Sequence, residues 1–166
     1  NKRKNTWGTG LIFNHEIDSI QNVTVAAGFT RQISENANKT AYYSNAYALG
    51  LAYNFVHTTY GLDLAHKDTK NKGGAGNKVK NNEVTAVIRQ GLNEDWNVYA
   101  MYSYKTEKTL PAGSAYSKST DRQFLVGTEY YVFKQGSVKV KPFIEWQATR
   151  TKYENTFDKD SGKQLD

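Results

Sequence analysis

SNAYALGLAYNFVHTTYGLDLAH, residues 44–66, decides how the rest of the chain is read. Its first half alternates: Tyr47, Leu49, Leu51, Tyr53 and Phe55 fall on one side, with Ala46, Ala48, Gly50, Ala52 and Asn54 on the other. Period two is the mark of a β-strand with two different faces. After a gap of about three residues, Tyr60, Leu62 and Leu64 alternate with Gly61, Asp63 and Ala65. Two strands joined by so short a link form an antiparallel hairpin.

The residue types on each face carry more information than the alternation. Aromatics stand at the ends of the greasy face (Tyr47; Tyr53, Phe55, Tyr60), with aliphatics between them. The other face is small or polar and includes an acid. A soluble sheet usually sets Lys, Glu and Thr opposite its apolar face, not Ala and Gly. An apolar band about 25 Å tall, edged by aromatic girdles and backed by a small or polar interior, describes a transmembrane barrel strand.

Composition narrows the alternatives. The chain has 166 residues and no cysteine, and no break in composition divides it, so one domain or part of one is expected. No run of 18 apolar residues exists and mean hydropathy is low, which excludes a helical membrane protein. A β-barrel shares that low hydropathy, because only every second strand residue meets lipid. The start, NKRKNT, is polar and basic and carries no signal peptide, so a secreted barrel with this sequence is a mature form or a fragment. The net charge of +6 is local: Lys2, Arg3 and Lys4 supply three, and residues 66–80 supply four more. That pattern reads as a solvated or lipopolysaccharide-facing surface rather than a nucleic-acid groove.

Eight strands are predicted. Thr6 to Ile17 sets Trp7, Thr9, Leu11 and Phe13 against Gly8, Gly10, Ile12 and Asn14; Asn22 to Ile33 sets Val23, Val25, Ala27 and Phe29 against Thr24, Ala26, Gly28 and Thr30. The opening hairpin supplies the third and fourth. Asn82 to Leu92 has Val84, Ala86 and Ile88 on one face, and Asn97 to Thr109 has Val98, Ala100, Tyr102 and Tyr104. Asp121 to Lys134 contributes Phe124, Val126, Thr128, Tyr130 and Val132; Val138 to Tyr153 contributes Val140, Pro142, Ile144, Trp146 and Ala148. Turns near 18–21, 56–58, 93–96 and 134–136 are short. Polar segments near 34–43, 68–81 (centred on NKGGAGNK), 109–120 and 155–166 read as loops about three times as long. Strict short–long alternation places all long loops at one end of an up-and-down sheet, as in outer-membrane barrels. It also puts Tyr104 and Trp146 near the outer rim, and Phe55, Tyr60 and Tyr130 near the periplasmic rim.

Barrel radius scales with strand number. An inner face rich in Gly, Ala, Ser and Thr underfills an eight-stranded barrel but suits the wall of a wider aqueous channel. AYALGLAYNF (46–55), NVYAMYSYKTEKT (97–109), FLVGTEYYVF (124–133) and VKPFIEWQATRTKYE (140–154) resemble the C-terminal half of general diffusion porins of Gram-negative outer membranes. The likeness is to the major porins of the Haemophilus and Pasteurella group, runs over essentially the whole chain, and rests on no single diagnostic motif. It implies an integral outer-membrane barrel of sixteen strands, usually a homotrimer. Such a barrel passes small hydrophilic solutes passively and contacts lipid and lipopolysaccharide, without cofactor or nucleic acid. Sixteen strands at about 21 residues each need roughly 330 residues, so the chain reads as a fragment lacking the N-terminal half and the last strand. The family's constriction loop and terminal aromatic have no counterpart here, so its eyelet residues cannot be transferred.

The candidate pore-lining residues are the inward-parity charges Glu16, Asp63, Lys67, Arg89, Lys105, Glu129, Lys141 and Glu145. Hydrated wall residues would show the same pattern; as pore residues they set the ion preference, and their balanced signs predict weak selectivity. The lipid-facing girdle is Tyr47, Tyr53, Phe55, Tyr60, Tyr102, Tyr104, Tyr130 and Trp146. Nothing places a histidine beside a serine and an acid, Gly8-Thr9-Gly10 lacks the context of a phosphate loop, and no metal-ligand spacing occurs, so no catalytic residue is assigned. The Lys-rich loop is solvated in the plain reading and touches lipopolysaccharide in the sharper one. Three alternatives stay open: a small closed eight-stranded barrel acting as an adhesin or host-factor binder, the translocator barrel of an autotransporter, and a soluble carbohydrate-binding sandwich.

Overall fold

The computed structural model describes residues 2–35, 41–72, 78–110, 116–135 and 138–156. The strands are β1 (Lys2–Asp18), β2 (Gln21–Glu35), β3 (Ala41–Phe55), β4 (Thr58–Lys72), β5 (Lys78–Gly91), β6 (Trp96–Leu110), β7 (Tyr116–Tyr130), β8 (Phe133–Gln135), β9 (Val138–Val140) and β10 (Phe143–Thr156). Eight of them form one antiparallel up-and-down sheet in the order β1-β2-β3-β4-β5-β6-β7-β10. The sheet is open, with β1 and β10 at its edges. The small β8–β9 hairpin stands apart as a second sheet.

The alternation in the sequence fixes which side chains share a face, and the ladders carry that choice unbroken from strand to strand. Phe13 pairs with Val25, Val25 with Leu51, Leu51 with Leu62, Leu62 with Ala86, Ala86 with Tyr102 and Tyr102 with Phe124. A slip of one residue anywhere would turn the next strand over. None occurs inside the band.

Strands are longer than the apolar pattern alone predicts. Lys67 to Lys70 on β4 pair with Asn81 to Lys78 on β5. Backbone hydrogen bonds do not require apolar side chains, so the polar stretches expected as long loops continue the ladder. The connections at that end reduce to 36–40, 73–77 and 111–115, which lie outside the described residues, as do the centre of NKGGAGNK and the tail 157–166.

The strands flanking the expected tight turn near 134–136 need the opposite correction, although Gln135 still pairs with Val138 on either side of 136–137, which lie outside the described residues. The strands expected over 121–134 and 138–153 are broken at Tyr131-Val132 and at Lys141-Pro142, isolating the β8–β9 hairpin. Pro142 has no N–H to give to a ladder. Its carbonyl still accepts from the Tyr130 N–H at 3.2 Å, while the Tyr131 N–H turns to the Asp95 carbonyl at 2.9 Å. Lys134 ties the hairpin down, with Nζ 2.5 Å from Asp95 Oδ1 and donating to the Glu94 carbonyl at 2.7 Å.

Polar side chains cap the other turns at this end. Asp18 accepts from the Ile20 N–H at 2.9 Å, and Asn93 Oδ1 accepts from the N–H groups of Asp95 and Trp96, both at 2.9 Å. This is how Asx turns satisfy backbone donors that leave a ladder. In the two-residue β3–β4 turn, Val56 takes a φ of 54°, in the left-handed region that a β-branched residue rarely adopts. Its N–H donates to the Ile20 carbonyl at 2.9 Å, so the neighbouring turn helps to hold it there.

Among the described residues no hydrophobic side chain is buried. Leu11, Phe13, Phe55, Tyr60, Phe124, Ile144 and Trp146 are all exposed. The few buried residues are polar: Ser103, Thr120 and Glu129. A single sheet has nothing to pack its apolar face against, and the polar face is the better covered of the two.

Candidate functional site

The polar face is built from the strand positions opposite the apolar ones. At mid-height, one hydrogen-bonded row reads Ala26, Gly50, Asp63, Thr85, Ser103, Gln123 and Thr149. Short side chains keep this wall low, and hydroxyls pair along it, with Thr85 Oγ1 donating to Ser103 Oγ at 3.2 Å. Toward the short-turn end the next row but one reads Arg89, Tyr99, Gly127 and Glu145.

Here the side chains bridge strands that are not neighbours. Gly127 leaves a gap on β7, and the Tyr99 ring lies across it; a Cβ placed on Gly127 would sit 2.5 Å from Tyr99 Cζ. The ring reaches β10, where its hydroxyl donates to Glu145 Oε1 at 2.5 Å. Arg89 on β5 passes over β6 and donates to Glu129 on β7. Lys141 Nζ meets the other Glu129 oxygen at 2.6 Å, and Asn97 Nδ2 donates to the first at 3.3 Å. Glu129 is the only buried ionisable side chain among the described residues, and its charge is carried by two cations and an amide. Lys141, expected on a strand, lies in the Lys141-Pro142 break and reaches the polar face through this ion pair.

Toward the other end the polar face curls around a cavity of about 770 Å³. Its lining includes Lys67 from β4, Glu83 from β5, Lys105 and Glu107 from β6, Asp121 from β7 and Tyr153 from β10. A cavity lined from β3 to β10 requires the sheet to curve toward its polar side. Lys105 Nζ lies 3.1 Å from Glu83 Oε1.

All eight charges read from the sequence stand on or reach this face, but they do not form one group. Arg89, Glu129, Lys141 and Glu145 meet near the short turns; Lys67 and Lys105 share the cavity; Asp63 stands alone beside Gly50, and Glu16 is far away on β1. The register adds three acids that the sequence reading passed over: Glu83, Glu107 and Asp121. All three lie inside the expected strands 82–92, 97–109 and 121–134 at inward parity, two residues from Thr85, Lys105 and Gln123, so the alternation by itself already puts them on this face. Among the described residues the face therefore carries four cations against seven acids. The expected balance of signs does not hold.

The girdle candidates Tyr47, Tyr53, Phe55, Tyr60, Tyr102, Tyr104, Tyr130 and Trp146 all lie on the opposite face. Ring contacts link some of them: Phe29 to Tyr47 at 4.9 Å, Tyr53 to Tyr60 at 6.1 Å, and Phe124 to Trp146 at 6.2 Å. The upper border of the apolar band is not parallel to the hydrogen-bonded rows. One row begins as Leu11, Ala27, Leu49, Leu64 and Val84 and ends as Tyr104, Arg122 and Arg150. Above the border the same face is basic, with Lys80, Lys118, Arg122, Arg150 and Lys152. No protein-family model, curated protein or solved structure matches this chain.

Proposed function

We propose that this chain forms part of the wall of an outer-membrane porin, a passive water-filled channel for small hydrophilic solutes. The observation that carries the reading is the continuous apolar face with no apolar core behind it. The eight strands set most of their hydrophobic side chains on one side, with Ile12, Val87, Met101, Leu125 and Phe143 on the other, and among the described residues none of them is buried. Water would penalise such a face, and a bilayer would solvate it. From Tyr47 to Phe55 the band is nine residues tall on β3, which fits a tilted crossing of about 9–11 residues.

The slanted border supports the same reading. Its top falls by six residues between Trp7 on β1 and Ala148 on β10, across seven strand-to-strand steps. With a rise of ~3.4 Å per residue and ~4.8 Å between strands, the band is level only if the strands tilt by about 30°. Barrel strands lean in this way, because closure couples tilt to a fixed stagger of the register. The basic fringe then lies level with the phosphates of lipid and lipopolysaccharide.

The unpaired edges β1 and β10 and the small side chains of the polar face favour a wider wall than eight strands closed on themselves. In this reading the barrel has about sixteen strands and assembles as a trimer. Single-channel recording of the full-length protein in a planar bilayer tests it. Large ohmic steps closing in three levels are expected. Silence from folded protein, shown folded by a heat-shifted gel mobility, would instead favour a plugged barrel acting through its loops.

A further inference from the structure

We propose that the polar face selects for small cations over anions, and that Glu107, Asp121 and Lys67 set the strength of that preference. The inference rests on the channel reading above and deepens it. Ionic pairing on the face is lopsided. Arg89 and Lys141 are both held by Glu129, and Lys105 is held by Glu83. Among the described residues, Lys67 is the one cation of this face outside an ion pair, whereas Glu16, Asp63, Glu107 and Asp121 are all outside one. Glu145 stands outside an ion pair as well, its partner being the Tyr99 hydroxyl.

The acids are also spread along the path rather than gathered at one point. Glu129 and Glu145 stand near the short turns, Asp63 at mid-height, and Glu107 and Asp121 in the cavity toward the other end. An ion crossing the wall therefore meets one net negative charge at mid-height (Asp63) and one in the cavity, where Glu83, Glu107 and Asp121 outnumber Lys67 and Lys105, while the Arg89–Lys141–Glu129–Glu145 group near the short turns is balanced. On the apolar face the sign is reversed, with the basic fringe turned away from the aqueous path. This segregation of sign between two faces of one sheet explains how a chain of net charge +6 presents an acidic wall.

The net of three negative charges sets the size of the effect. At roughly 10 Å from the ion, in water and screened at 0.1 M salt, it favours cations over anions about fivefold. Removing two acids leaves one net charge and a ratio below about twofold; removing Lys67 raises the net to four and the ratio to about eightfold.

The test is the zero-current potential of the reconstituted full-length protein across a potassium chloride gradient. Wild type is expected to be cation-selective, Glu107→Gln/Asp121→Asn to approach neutrality, and Lys67→Gln to be more cation-selective than wild type. Ohmic channels that prefer anions, or whose potential ignores both variants, would overturn the inference and leave the channel standing. Folded protein that never conducts overturns the channel and the inference together.

Discussion

Replacing Gly127 with alanine probes the cross-strand bridge without reference to any membrane. The added Cβ would lie 2.5 Å from Tyr99 Cζ, 2.6 Å from its hydroxyl oxygen and 2.7 Å from Cε2. No real Cβ tolerates that, so the ring must leave β7 and give up its hydrogen bond to Glu145. Overpacking of this kind costs about 1–3 kcal/mol. The lost hydrogen bond is made to a charged group, but Glu145 is exposed and water replaces the phenol, so about 1 kcal/mol is added. A total of about 2–4 kcal/mol should move the urea midpoint by roughly 1–2 M. The assay is a urea titration in detergent followed by tryptophan fluorescence, with Gly127→Ala measured in wild type and in a Tyr99→Ser background. Once the ring is gone, the alanine should cost less than about 1 kcal/mol, giving a coupling of 1 kcal/mol or more. Equal costs in the two backgrounds, or a neutral Gly127→Ala with Tyr99 present, would refute the bridge.

Two further predictions address the faces and the buried charge. Leu51→Lys should destabilise the folded protein in lipid by about 2–4 kcal/mol, the cost of a cation at the lipid-facing midplane. Gly50→Lys, one residue away and beside Asp63 on the polar face, should cost less than about 1 kcal/mol; refolding titrations in vesicles that reverse this order would mean the faces are exchanged. Arg89→Met should cost about 1–3 kcal/mol, because it strips one of the two cations from buried Glu129. Adding Glu129→Leu should restore most of that loss in the same unfolding assay, and a double variant weaker than the single would show that Glu129 has another role.

The alternation in residues 44–66 was enough to fix the strand hairpin and its two faces, because side-chain parity is a local property of an extended chain, and the short–long alternation of the connections along the whole chain supplied the antiparallel up-and-down order. The same parity named the eight candidate charges. Glu83, Glu107 and Asp121 share that parity inside the expected strands, and only the ladders of β4 to β7 show that the strands run on past them, to Lys70, Lys78, Leu110 and Ser117. Local pattern is likewise blind to distance across the sheet. That Tyr99 reaches Glu145 over Gly127, that Arg89 and Lys141 converge on Glu129, and that the apolar band slants from Trp7 to Trp146 all depend on register between strands up to 46 residues apart in sequence. The sequence determined which way each side chain points. The tertiary structure decided which of them meet, and the net charge they leave on the face, because partners are set by pairing and reach rather than by position along the chain.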